Sequence, residues 1–296
     1  MPQKNNVDFI YIGGPRCGST WLAAILADHP GIFVPPSKEV HFFNDRMPYD
    51  FEYRYPHGIE YYREFFADAK EGQKIGDLSP FYFLDPNAAW RIHHHFPHVK
   101  LIAFLRDPVD MLYSLYLLLR QRERREATFE RELEVHPELI DLCRYDRLLQ
   151  PFHDLFDAEN ILVLIQDDIK ADPKAVARRV YDFLGVDPQF DPPSLDKAFN
   201  LAVETKPTAV GQSRGLAIRL LNRPFLRPVK DWLVKRGAKD IRRFHQEEQF
   251  SDQRYRGPSP EIRAQLGTFL QPDLERLERR IGRDLGNWRT YRKREA

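Results

Sequence analysis

Cysteine is nearly absent from this chain. Only Cys17 and Cys143 occur in 296 residues, which excludes a disulfide-held scaffold and leads us to expect a reducing, cytoplasmic setting. Charge of one sign is absent too. The 45 Lys and Arg offset 44 Asp and Glu to a net +1, so no nucleic-acid partner is expected and any anion site must be local. No apolar run is long enough to span a membrane: the longest, residues 100–119, is broken by Arg106-Asp107-Pro108. Residues 1–6 lack the charged-then-apolar pattern of a secretion signal, and residues 7–14 are too short for one. Repeats and low-complexity tracts are missing. His93, His94 and His95 have no carboxylate or Cys beside them at metal-ligand spacing. They are expected at a helix end, where the dipole favours cations, and no metal site is expected.

What is present is an ordinary globular composition, 42% apolar and 30% charged. Residues 8–14, 74–78, 99–105 and 160–165 read as strands. Helical patterns cover residues 19–28, 59–67, 86–96, 107–125, 138–156 and 173–184, the last closed by Gly185. Strands alternating with helices of this length imply parallel βαβ units. The proline-rich run at 187–193 marks the end of that α/β core, residues 7–186. The rest, 187–296, reads as a helical extension within a single domain.

The stretch from Asp8 to Leu22 carries the most chemistry. A strand runs into a turn with Gly13, Gly14 and Gly18, and the turn opens onto a helix. Backbone N–H groups and the positive end of a helix then converge on one spot, which suits a phosphate. Gly13 and Gly18 have P-loop spacing and Thr20 is present, but Ser19 stands where a nucleoside triphosphatase needs lysine. The cation lies inside the turn instead, at Arg16. The plainer reading is a tight turn with a surface arginine.

Gly14-Pro-Arg-Cys-Gly-Ser-Thr-Trp-Leu22 resembles the 5′-phosphosulfate loop of sulfotransferases that use 3′-phosphoadenosine 5′-phosphosulfate (PAPS). The resemblance implies a three-layer, P-loop-like α/β fold with a central parallel sheet. It gives Arg16 the catalytic cation's role and places Pro15, Cys17, Gly18, Ser19, Thr20 and Trp21 around the nucleotide. A second motif agrees. Arg106 ends a strand and Ser114 lies two helical turns on, similar to the family's 3′-phosphate pair. Strand ends are also where ligands collect in open α/β sheets.

Residues 36–44 and 58–66 resemble segments of the heparan-sulfate branch, in which a glutamate takes the acceptor's proton; here it falls on Glu39. A carboxylate beside an alcohol suits that task. His41 competes for it, because imidazole has the better unperturbed pKa and other branches use histidine. Alternate residues of a strand share a face, so both are expected to point into the cleft. Lys38 and Tyr82 are expected at the acceptor, as is Tyr145, although tyrosine on an amphipathic helix commonly packs inward. Residues 74–83 depart from the branch pattern: its lysine is replaced by Leu78. The second cation is then missing or comes from elsewhere, with Lys38 as one source.

Residues 214–243 hold ten Lys or Arg against two Asp. Such a run lies on an anionic membrane or closes over an anionic nucleotide, and the resemblance favours the second. The expected activity is transfer of a sulfuryl group from PAPS to a small-molecule or glycan acceptor, without a metal. The alternatives are a small-molecule kinase with a degenerate P-loop, and a nucleotide-binding scaffold without catalysis.

Overall fold

The computed structural model describes residues 6–37, 39–46, 52–123, 127–196 and 257–289. Among these, five parallel strands form one sheet in the order β2-β3-β1-β4-β5. They are β1 (Phe9–Gly13), β2 (Ile32–Phe33), β3 (Lys74–Leu78), β4 (Lys100–Leu105) and β5 (Ile161–Ile165). Parallel strands are covered on both faces, so they read as continuous apolar runs rather than alternating ones. Phe9 to Ile12 and Leu101 to Leu105 are accordingly all 0% exposed. The two residues of β2 are too few to carry such a signal, and no strand is expected there from the sequence.

The chain leaves β1 for β2 on one side and reaches β4 on the other, so the ends of β1 and β4 flank a topological switch point. Ligands bind at such crevices in open α/β sheets. Helices α1 (Ser19–Asp28), α2 (Ile59–Arg63), α3 (Ala88–His95) and α4 (Pro108–Glu123) follow the first strands. After them come α5 (Phe129–Val135), α6 (Tyr145–Leu155), α7 (Gln166–Ala171) and α8 (Pro173–Leu184). The turn signals act as expected. Asp107 Oδ1 accepts from the N–H groups of Val109 at 2.9 Å and Asp110 at 3.0 Å, capping α4. Gly185 closes α8 at φ 73°.

One expected helix is divided. Residues 138–156 form a 3₁₀ turn, Pro137–Cys143, then a break at Arg144 (φ −83°, ψ 73°), then α6. The break has a tertiary cause. Asp273, from α9 (Pro260–Ile281), accepts from the N–H of Asp146 at 2.9 Å and of Arg147 at 3.3 Å, so the cap of α6 comes from more than a hundred residues away. Leu266, Leu270, Leu274 and Leu277 of α9 are buried in the same core as the sheet. Asp146 accepts from Arg276 at 3.0 Å and from Arg280 at 2.7 Å. Trp288, on α10 (Gly286–Arg289), meets the Tyr145 ring at 6.3 Å. The C-terminal helices thus build the core, while the basic run 214–243 lies outside the described residues. No helix among the described residues is long and apolar enough to cross a membrane.

Candidate active site

The loop between β1 and α1 is shaped by close approach. A Cβ on Gly13 would stand 2.6 Å from that of Phe83 and 2.8 Å from the Pro80 carbonyl oxygen, so no larger residue fits. Gly14 N–H donates to Phe104 O at 2.7 Å, fastening the loop to β4. Gly18, at φ 112°, is the N-cap of α1 and makes no side-chain cap bond. The first turn of α1 therefore directs its N–H groups and positive dipole end toward the loop.

Arg16 lies in the left-handed region at φ 61°, which costs an ordinary residue about 1–2 kcal/mol. Its side chain reaches across the switch point, and Nε donates to Ser114 Oγ at 3.0 Å. The two motifs, separated by 98 residues, meet in this bond. Arg106 sits half-buried at the end of β4, its guanidinium 3.9 Å from Asp110 Oδ2. Arg263 of α9 pairs with Asp107 at 3.3 Å and with Asp110, tying the C-terminal helix to the turn that presents Arg106.

The remaining loop residues differ in what they offer. Ser19 and Thr20 are half-buried at the start of α1, and Pro15 is buried. Cys17 is 0% exposed and its thiol donates to Pro15 O at 3.3 Å. Burial pushes that thiol up to about 12, so it is inert and only its backbone faces the loop. Trp21 packs its ring on Phe104 at 6.2 Å, and Nε1 donates to Leu195 O at 2.9 Å. That ring belongs to the core and anchors the chain leaving it.

Residues 39–43 are not the expected strand. Side chains from elsewhere hold four successive residues by their backbones. Arg54 donates to Val40 O at 2.7 Å and Arg91 to Phe43 O at 2.9 Å, while the N–H of His41 donates to Ser79 Oγ at 2.9 Å and that of Phe42 to Tyr82 OH at 3.0 Å. His41 takes φ 50°, which breaks strand alternation. Glu39 and His41 still converge, with His41 Nε2 3.4 Å from Glu39 Oε2. Glu39 lies near enough to Tyr11, on β1, for its charge to act on that phenol. The segment therefore lies close to the central strand.

Beneath the segment lies Asp77, fully buried. Its carboxylate accepts from Tyr62 OH at 3.0 Å, Ser79 Oγ at 2.6 Å and Tyr82 OH at 2.7 Å. Burial raises the Asp77 pKa although all three hydroxyls pull it down. The same burial holds the Tyr62 and Tyr82 phenols well above their ordinary value.

Two sequence expectations are corrected here. Tyr82 and Tyr145 are both 0% exposed, so neither presents a surface to an acceptor. Tyr82 belongs to the Asp77 cluster, and Tyr145 packs between Phe83 and Trp288. Leu78 is also 0% exposed, so no cation stands at that position. Lys38 lies outside the described residues. Arg54, Arg91 and Tyr62 went unnoticed in the sequence; only Tyr62 had a signal, as part of the segment at 58–66. Among the described residues no group of three His, Cys, Asp or Glu is placed to hold a metal.

Residues 6–204, well over half of the chain, match the family model for the sulfotransferase domain. The chain belongs to the sulfotransferase family. It is 28% identical, over 75% of its length, to heparan sulfate glucosamine 3-O-sulfotransferase 3A1 of Mus musculus, covering 59% of that protein. It is 34% identical, over 46% of its length, to the membrane-associated sulfotransferase kil1 of Dictyostelium discoideum, covering 29% of that one. The chain thus spans less than two thirds of these relatives. A solved sulfotransferase from Alicyclobacillus acidocaldarius shares the fold at TM-score 0.69 and 24% identity, with 96% of this chain and 99% of that one covered. The P-loop-like parallel sheet is therefore a sulfotransferase sheet.

Proposed function

We propose that this sulfotransferase-family chain moves a sulfuryl group from PAPS to a hydroxyl of a carbohydrate-type acceptor. The observation that carries the reading is the 3.0 Å bond from Arg16 to Ser114. It brings a cation inside a glycine loop and the serine of a second anion motif to one crevice. The fit to a nucleotide with phosphates at two ends is good. The Gly13–Gly18 turn admits backbone close to one phosphate, and Arg106 at the end of β4 and Ser114 on α4 would take the other.

In this reading the bond between the acceptor oxygen and sulfur forms as the bond from sulfur to the 5′-phosphate oxygen breaks. The proton leaves for Glu39, and the nucleotide departs as 3′-phosphoadenosine 5′-phosphate (PAP). Arg16 and the loop amides stabilise charge growing on the departing phosphate. The His41 geometry favours Glu39 as the base. His41 Nδ1 is buried with no partner among the described residues, and a buried N–H without a partner is rare. The neutral ring that avoids one carries its proton on Nε2 and donates it toward Glu39. A histidine base would need that nitrogen bare, facing a carboxylate. The carbohydrate acceptor is supported by relatives named for heparan sulfate glucosamine, and Leu78 marks a departure from that branch.

Thermal unfolding with PAP, set against ATP plus magnesium, tests the donor. PAP is expected to raise the melting temperature well above the effect of ATP. Equal effects would favour the kinase reading, to which Ser19 is opposed. Labelled donor with a panel of sugar, lipid, phenol and secondary-metabolite acceptors then tests the reaction. Transfer to none of them, with PAP bound, would point to the scaffold reading.

A further inference from the structure

We propose that Asp77 is the positioning residue of the base: through Ser79 and Tyr82 its carboxylate fixes the backbone at His41 and Phe42 and so sets where Glu39 points. The inference rests on the reading of Glu39 as the base.

Proton polarity sets the direction of every bond in this cluster. A hydroxyl has a single proton. Ser79 Oγ must accept from the N–H of His41 and Tyr82 OH from that of Phe42, so each must send its own proton elsewhere. Both send it to Asp77, with Tyr62 adding a third. Only a group that accepts and never donates can take all three, and an ionised carboxylate is the one side chain that does. An amide there would turn an N–H toward one of the hydroxyls, which would lose the acceptor for its own proton and with it the fixed orientation that receives the backbone N–H.

The consequence reaches the site because residues 39–43 have no partner strand among the described residues. His41 is held at φ 50°, a conformation that persists only where its surroundings over-determine it. Ser79 and Tyr82 supply that constraint, and Tyr62 ties the same carboxylate to α2. Asp77 is fully buried beneath the segment, its carboxylate taken up by the three hydroxyls, so its part is placement rather than proton transfer.

The test uses the full chain and needs no identified acceptor. Amide hydrogen exchange is followed in wild type and Asp77→Asn, and PAP release from PAPS is measured with water as acceptor. In Asp77→Asn, exchange at His41 and Phe42 is expected to speed up by about tenfold or more while β1 and β4 keep their protection. PAP release should fall by about tenfold or more in kcat with KM for PAPS held. Unchanged exchange at His41 and Phe42 in folded Asp77→Asn overturns the proposal, as does faster exchange with undiminished kcat. Should that variant fail to fold, Ser79→Ala and Tyr82→Phe keep the carboxylate and read the same two arms. Loss of protection at His41 in the first and at Phe42 in the second supports the relay, and protection kept in both ends it. Glu39→Gln runs in parallel. If it releases PAP at the wild-type rate, the base assignment fails by itself, and amide exchange still decides what Asp77 holds.

Discussion

At the scale of single residues, Arg16 combines a left-handed backbone with a side chain already aimed across the crevice. In the proposed reaction such a preorganised cation acts on the transition state more than on the bound ground state. Arg16→Ala is therefore expected to lower kcat by about 10²-fold or more, with a much smaller change in PAP affinity. A purely structural arginine would instead lower the melting temperature and spare turnover, which steady-state kinetics beside thermal unfolding distinguishes. Glu39→Gln should abolish most turnover while PAP still binds. His41→Ala should be milder and leave the acidic limb of the kcat–pH profile in place; the reverse pattern would make His41 the base. The loop residues were legible in the sequence because glycine spacing is a backbone requirement written directly in residue type. Tyr82 and Tyr145 were not, because the same residue type serves a cleft wall and a buried hydroxyl, and only the neighbours decide. The Asp77 cluster was half-legible. Asp77, Ser79 and Tyr82 stand together at the end of β3 and just after it, but Tyr62 comes from α2 and the amides that the cluster holds come from residues 41 and 42.

At the scale of elements, the strands and most helices followed from apolar runs, proline and glycine. The division of residues 138–156 did not, since the cap of α6 is Asp273 on α9. Replacing that cap in Asp273→Ala is expected to cost roughly 1–2 kcal/mol, read by chemical denaturation. Burial raises the Asp273 pKa. Stability from this group is thus fully present below the ordinary carboxylate pKa and is lost as pH rises through the raised one. Wild type should accordingly gain on Asp273→Asn as pH falls from neutral, measured as the difference between their unfolding free energies. A difference that shrinks on acidification would contradict the burial argument.

At the scale of the whole molecule, the sheet brings the ends of β1 and β4 together and α9 locks them from behind. Leu270 and Leu274 are 0% exposed, and either one changed to alanine should cost about 2–5 kcal/mol. A chain ending before residue 260 should show no cooperative unfolding transition, a result that calorimetry would reveal. From the sequence, residues 187–296 read as a helical extension and not as core, because helix-forming composition does not name the surface against which a helix packs. This placement has a consequence for how the protein is made. On the ribosome, all five strands and both anion motifs emerge long before α9. Until it arrives, α6 lacks its cap and a leucine-lined face stays open to water. The nascent chain therefore carries both anion motifs before Arg263 arrives to hold the turn that presents Arg106.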